Sequence, residues 1–195
     1  TADSGLIPVN GQVKLRAVDG LFNIALANLN SANSKLSATG RFDLKDENSD
    51  LTLALRSTDA SEIDRLVRVL GVSQELERQL DAMQVQFAGN LYFDGKVTGN
   101  LSDPTVDGRA SLDSLSMRGR EVGSVSTDIL VSPFGVDLKS GKLQQRDGGG
   151  ALFTVSMPNS GTNNIAVNAT LSGIDAGNLI AALPVTLPLR IRDLD

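Results

Sequence analysis

Apolar and polar positions alternate along most of this chain. Val13, Leu15 and Ala17 share one phase of the alternation, as do Ile24 and Leu26, then Leu36, Ala38, Phe42 and Leu44, then Leu51, Leu53 and Leu55. The series resumes at Val85, Phe87, Leu91, Phe93 and Val97 and continues through Val106, Ala110, Leu112, Val125, Ile129 and Val131. Ala151, Phe153, Val155 and Met157 follow, and Ile165, Val167, Ala169 and Leu171 close it. Successive side chains of a strand point to opposite faces, so a period of two gives each strand one oily and one wet side. Antiparallel sheet with one face in water has this pattern, whereas a doubly covered parallel sheet would show continuous apolar runs. The expected fold class is therefore all-β with short helices: a strongly curved, mainly antiparallel sheet.

Turn residues punctuate the strands. Asp19-Gly20, Asp46-Glu47-Asn48, Ser102-Asp103-Pro104, Pro133-Phe134-Gly135, Asp147 to Gly150 and Pro158 to Asn164 are expected connections. Asp107-Gly108 also reads as a hairpin turn, and so would Asp94-Gly95 but for the unbroken alternation of Leu91, Phe93, Gly95 and Val97 through it. Glycines within strands then mark bends or bulges. One segment departs from the period of two. Ile63, Leu66, Val67 and Leu70 recur at helical spacing, Asp59 with Glu62 reads as a capping box, and Gly71 as a C-terminal stop. Ser73 would cap a second short helix carrying Leu76, Leu80 and Met83, and a third is expected from Asp175 to Leu183. Asp59-Ala60 with Ile63 matches Asp175-Ala176 with Leu179, which suggests an internal repeat of about 115 residues. The chain reads as one domain, residues 1–195, with repeat units at 1–84 and 85–195.

Composition removes much chemistry. The chain has 195 residues and no Cys, His or Trp, which excludes Ser-His-Asp and Cys-His triads, disulfides and Cys or His zinc sites. Eighteen Lys and Arg are outnumbered by 23 Asp and Glu, with no basic cluster, so no nucleic-acid partner is expected. The densest acidic patch, Asp43, Asp46, Glu47 and Asp50, lacks the order of a calcium loop and reads as a solvated hairpin. Arg146 to Gly150 lacks the Gly-Lys-Ser/Thr and following helix of a phosphate cradle. Asp59 and Asp175 sit where helix caps belong. No catalytic constellation, metal site or cofactor is expected. What remains is the oily face itself, which is either a closed core or, in part, an open groove; few aromatics and many Leu, Val, Ile and Ala suit flexible acyl chains.

The phrase Gly99-Asn-Leu-Ser-Asp-Pro104-Thr-Val-Asp-Gly108, with Leu112-Asp-Ser-Leu115 after it, resembles a recurring phrase of the TamB family, Gly-x-Leu-x-x-Pro-x-Val-x-Gly followed by an alternating strand. The alternation from Val125 to Met157, with Gly141-Lys-Leu143 and Gly148 to Gly150, and the segment Asp175-Ala-Gly-Asn-Leu179 are similar to the same family and its AsmA-like relatives. The resemblance is closest over residues 85–195. It implies a piece of a long periplasmic protein, anchored in the inner membrane by a segment outside this chain, whose body is a β-taco groove with an apolar interior. It implies a role in phospholipid transport to the outer membrane and in outer-membrane protein assembly, and no catalytic residues. On this reading Phe42, Leu53, Phe87, Leu91, Phe93, Val97, Leu112, Ile129, Phe153, Val155, Val167 and Leu171 line the interior. The partners expected are phospholipid or other acyl chains, with weak edge-to-edge self-association through unpaired sheet edges. The alternative reading is a scaffold that pairs with outer-membrane β-barrel strands by β-augmentation. A carboxylate-based glycosidase is a third class, against which one Tyr and no Trp count.

Overall fold

The computed structural model describes residues 8–43, 49–63, 65, 81, 84–100, 104–158, 165–175 and 177. Ten strands follow one another: β1 (Asn10–Val18), β2 (Leu21–Asn30), β3 (Ser34–Asp43), β4 (Ser49–Ser57), β5 (Val85–Gly99), β6 (Thr105–Met117), β7 (Arg120–Ser132), β8 (Gly135–Gln144), β9 (Gly150–Pro158) and β10 (Ala166–Ser172). They form a single sheet in sequence order, every neighbouring pair antiparallel. The fold is all-β, with strands holding 77% of the described residues. Among the described residues, close backbone contacts between strands run between sequence neighbours, so the sheet is an antiparallel meander.

Local chemistry explains the connections. Asp19 and Gly20 take φ of 52° and 93°, and Arg118 and Gly119 take 51° and 71°. Two consecutive left-handed residues make the tight hairpin turn whose twist matches the strands it joins. The second of these turns carries no signal beyond its glycine. Asp107-Gly108 is no turn: both residues lie inside β6, where Gly108 faces Gly95 of β5. The β4–β5 connection begins as a helix at residues 60–63, as the spacing predicts. Arg65, Asp81 and Gly177 are also helical, and the other residues expected in the three helices, with Gly71, lie outside the described residues. Leu44, Asp46 and Glu47 lie outside them too.

Bulges correct one reading of phase. Ile24 pairs with Gly40 and Ala27 with Ala38, so Ala25 and Leu26 together oppose Thr39. The extra residue puts Ala27 and Leu29 on the face of Ile24, where the alternation alone placed Leu26. β8 bulges in the same way at Lys139–Ser140, with Ser140 at φ 51°. The two bulges are equivalent. Leu15–Ile24, Ile24–Gly40 and Ala38–Leu53 correspond in register to Ile129–Leu138, Leu138–Val155 and Phe153–Ala169. β1–β4 thus recur as β7–β10, with β5 and β6 between them.

Both four-strand units are closed at the same end of the sheet, by different means. After β4, Asp59 caps the short helix, its Oδ1 accepting from Ser61 N at 3.0 Å and Ser61 Oγ at 2.7 Å. Glu62 does not complete a capping box. Ser57 Oγ accepts from Asp59 N at 3.1 Å in its place, and Glu62 turns inward. There its Oε2 accepts from Asn33 N at 3.1 Å and lies 3.2 Å from Ser34 Oγ, which is 2.9 Å from Ser57 Oγ. After β10 the closure is apolar: Ile174 packs against buried Val122, Leu143 and Ala151, and Gln145 Oε1 accepts from Asp175 N at 2.9 Å.

Candidate functional site

Cross-strand partners in an antiparallel sheet share a face, so the register traces which side chains stand together. One row crosses from Ala27 through Ala38, Leu53, Gly95, Gly108, Ile129, Leu138 and Val155 to Val167. A second runs from Leu29 through Leu36 and Leu55 to Phe93 and Ala110. A third joins Leu91, Leu112, Val125, Leu143, Ala151 and Leu171. The twelve residues singled out in the sequence all stand on this one face. Phe42 lies on it opposite Phe22, Phe87 opposite Leu115 and Val97 opposite Val106, and Phe153 is the neighbour of Ala169.

The face is largely apolar, and little of it is buried among the described residues. Among the described residues only Ala27, Ala60, Val122, Leu143 and Ala151 are buried hydrophobics. Ten of the twelve face residues are half-buried; Val167 and Leu171, on β10, are 60% and 49% exposed. A closed sandwich would bury most of them completely.

The aromatic rings lie down on this surface. A Cβ placed on Gly95 would come 2.6 Å from Phe93 Cζ, and one on Gly108 2.8 Å from Phe93 Cε2. The Phe93 ring therefore covers the facing glycine pair at the sheet centre. The Phe153 ring covers Gly141 in the same way, at 2.5 Å from the position of a Cβ. Phe22 and Phe42 stack across β2 and β3, with ring centroids 4.6 Å apart and planes within 3°. These ring-on-glycine seats were not read from the sequence. Each in-strand glycine was visible there, but its partner on the next strand is fixed only by register.

The opposite face is polar and carries an ion-pair ladder. Arg56 Nη2 meets Asp94 Oδ2 at 2.6 Å, Arg109 Nε meets Asp128 Oδ1 at 2.8 Å, and Arg146 Nη2 meets Glu121 Oε1 at 2.9 Å. Arg56 also sits over the Tyr92 ring, 5.6 Å from its centroid. Hydrogen bonds from Arg109 and then Ser140 hold the Asp128 carboxyl below its ordinary value, and the same contact raises Arg109. Two hollows, of about 1020 and 480 Å³, lie over the first four strands. The lining is mixed: Val13, Leu15 and Ile24 join Lys14, Arg16 and Arg41 in the first, and Leu29 and Leu36 join Asn28, Lys35 and Arg56 in the second. None of the twelve face residues lines either hollow.

Nothing described gathers for bond chemistry. Among the described residues no three Asp and Glu side chains converge as metal ligands. The Asp59 carboxyl is held below its ordinary value by the two Ser61 hydrogen bonds that make it a cap. Compared with known protein families, curated proteins and solved structures, the chain matches none.

Proposed function

We propose that this chain binds acyl chains on its open apolar face and conducts lipid along the sheet, as part of a periplasmic TamB- or AsmA-like protein serving outer-membrane biogenesis. One observation carries the proposal: an apolar row crosses nine of the ten strands, and among the described residues its large side chains are half-buried or exposed rather than buried. Eight interstrand spacings, from β2 to β10, give the longest row a span of roughly 38 Å. The face offers Leu, Val, Ile, Ala and Phe but no ladder of polar groups. It therefore holds an acyl chain by area alone, at about 0.8 kcal/mol per buried CH₂. Such attraction has no preferred register, so a chain can slide from one strand to the next while its headgroup stays in water beyond the strand ends. The mechanism is passive binding and diffusion, with no covalent step.

The test is lipid extraction and native mass spectrometry of the purified chain, repeated on Phe93→Asp. Co-purifying phospholipid is expected for the unaltered chain. On an open face the new carboxylate reaches water, so the substitution should cost about 1 kcal/mol, an ordinary value for a point change, while lipid is lost. A collapsed thermal melt would show that Phe93 belongs to a closed core, where an unpaired buried charge costs far more. A stable variant that keeps its lipid would remove Phe93 from the path, and a lipid-free unaltered chain would overturn the proposal.

A further inference from the structure

Along the chain no basic cluster stands out, but the register of the first four strands gathers one on the polar face. Asn23 of β2 is partnered by Arg16 on β1 and by Arg41 on β3, and Arg41 is partnered in turn by Asp50 on β4. Lys14 stands two residues from Arg16 on the same strand, and so on the same face. All five side chains are exposed. Two interstrand spacings put the Arg16 and Arg41 backbones roughly 10 Å apart, with Lys14 about 7 Å along β1 from Arg16. Long basic side chains span such gaps, so these cations can converge over Asn23. The same five residues contribute to the lining of the hollow of about 1020 Å³. Among the described residues, the ion pairs of the polar face engage Arg56, Arg109 and Arg146, and none engages Lys14, Arg16 or Arg41.

The duplication within the sheet shows that the scaffold does not require this charge. In register, Lys14, Arg16, Asn23, Arg41 and Asp50 correspond to Asp128, Leu130, Asp137, Ser156 and Ala166. The second unit builds the same strands with two carboxylates and no cation at these places. Three cations against one carboxylate also run counter to a chain of net charge −5. Like charges gathered on one surface repel, and an anion between them turns that repulsion into attraction. Arginine forks match pairs of phosphate oxygens, the lysine adds a point charge, and the Asn23 amide supplies a further donor. We propose that Arg16, Arg41, Lys14 and Asn23 form a binding site for a phosphate-bearing anion on the polar face of the first unit. A soluble phosphate ester and a phospholipid headgroup both offer the site the same oxygens. The site lies on the face opposite the apolar rows, so it stands whether or not those rows bind lipid.

Inorganic phosphate is the first probe. In a titration followed by NMR, with ionic strength held constant by chloride, the amide signals of Arg16, Asn23 and Arg41 should move and saturate. Arg16→Gln with Arg41→Gln should weaken that binding at least tenfold. Asp50→Asn removes the carboxylate beside Arg41 and should tighten it at least twofold, a gain that misfolding does not produce. Raising the salt should weaken binding to the unaltered chain, since exposed charges are screened. Vesicles then identify the source of the phosphate. If the ligand is a headgroup, equimolar phosphatidylcholine and phosphatidylglycerol should retain at least tenfold more of the unaltered chain than phosphatidylcholine alone, and the double variant should lose that excess. Equal retention on the two vesicles, with phosphate binding intact, assigns the site to a soluble phosphate ester. Should the double variant lose its circular-dichroism spectrum, Asp50→Asn decides alone. Shifts that never saturate, that chloride reproduces or that survive in a folded double variant would each overturn the proposal, as would an Asp50→Asn chain that binds phosphate no more tightly.

Discussion

Phe93 and the glycines beneath it show how single residues shape the surface. A ring lying over Gly95 and Gly108 gives the sheet centre a smooth covering without a tall side chain, so the apolar strip runs on uninterrupted. A methyl group at Gly108 would meet Asp94 O at 2.5 Å, Gly95 Cα at 2.8 Å and the Phe93 ring at 2.8 Å, two of which are backbone atoms that cannot swing away. Gly108→Ala should therefore destabilise the chain by about 1–3 kcal/mol, the range for overpacking, read as a lower urea midpoint at constant slope. The polar face offers a titration. Folding lowers the Asp128 carboxyl from 3.8, chiefly through Arg109. Its contribution is present above the unfolded value and is lost as pH falls through the lower folded one. NMR titration should find Asp128 ionising below 3.8 in the unaltered chain and nearer that value in Arg109→Ala. In the sequence, the alternation put all twelve named residues in one phase, and the register places them on one face. It was silent on which ring covers which glycine and which Asp meets which Arg, because those are contacts between strands rather than along one.

At the scale of elements, what was hard to read is what depends on a partner strand. Strand existence followed from a period that local sequence carries in full. The bulges at Ala25–Leu26 and Lys139–Ser140 hold no glycine and no proline, so nothing along the strand announces them. They exist because β2 and β8 each carry one residue more than the strand opposite, and their effect is to bend and twist the strand. The helix after β4 was legible in its start and misread in its chemistry. Glu62 has the spacing of a capping box, yet a serine at position 57 already serves the Asp59 amide, and the folded hairpin presents Asn33 and Ser34 as better partners for the carboxylate. Ser57 is 2% exposed and is the node of this cluster, accepting from Asp59 N and donating to Asp59 O at 2.9 Å. Ser57→Ala leaves the Asp59 amide without its acceptor, while the Ser34 hydroxyl keeps Glu62 Oε2 at 3.2 Å. The substitution should cost about 1–3 kcal/mol, the cost of an unsatisfied buried group, and Ser57→Thr should recover part of that loss in a thermal melt.

At the scale of the whole molecule, the strands' local patterns said that one face is oily but not whether anything covers it. Closure is a property of how distant strands meet, and the close backbone contacts of the described strands are with their sequence neighbours. The same fact governs cooperativity. In a globular core each element touches many others, so loss of one undermines all. Here each strand leans almost wholly on its two sequence neighbours, and the sheet approaches the one-dimensional limit of repeat proteins, where stability is a sum of unit and nearest-neighbour terms. β5, β6 and β7 are the longest or near-longest strands, at 15, 13 and 13 residues, and each is paired on both sides. Among the described residues β1 and β10 are paired on one side, and they are exposed along their entire length. Opening should therefore begin at the two edges and move inward. Amide hydrogen exchange is expected to give the greatest protection in β5 to β7, a stepwise fall through β4 and β8, and the least in β1 and β10. Denaturant unfolding should likewise be broader than a two-state fit allows, with edge and centre probes giving different midpoints. Uniform protection across all ten strands, together with coincident midpoints, would mean that the oily face is covered and the chain behaves as one closed core.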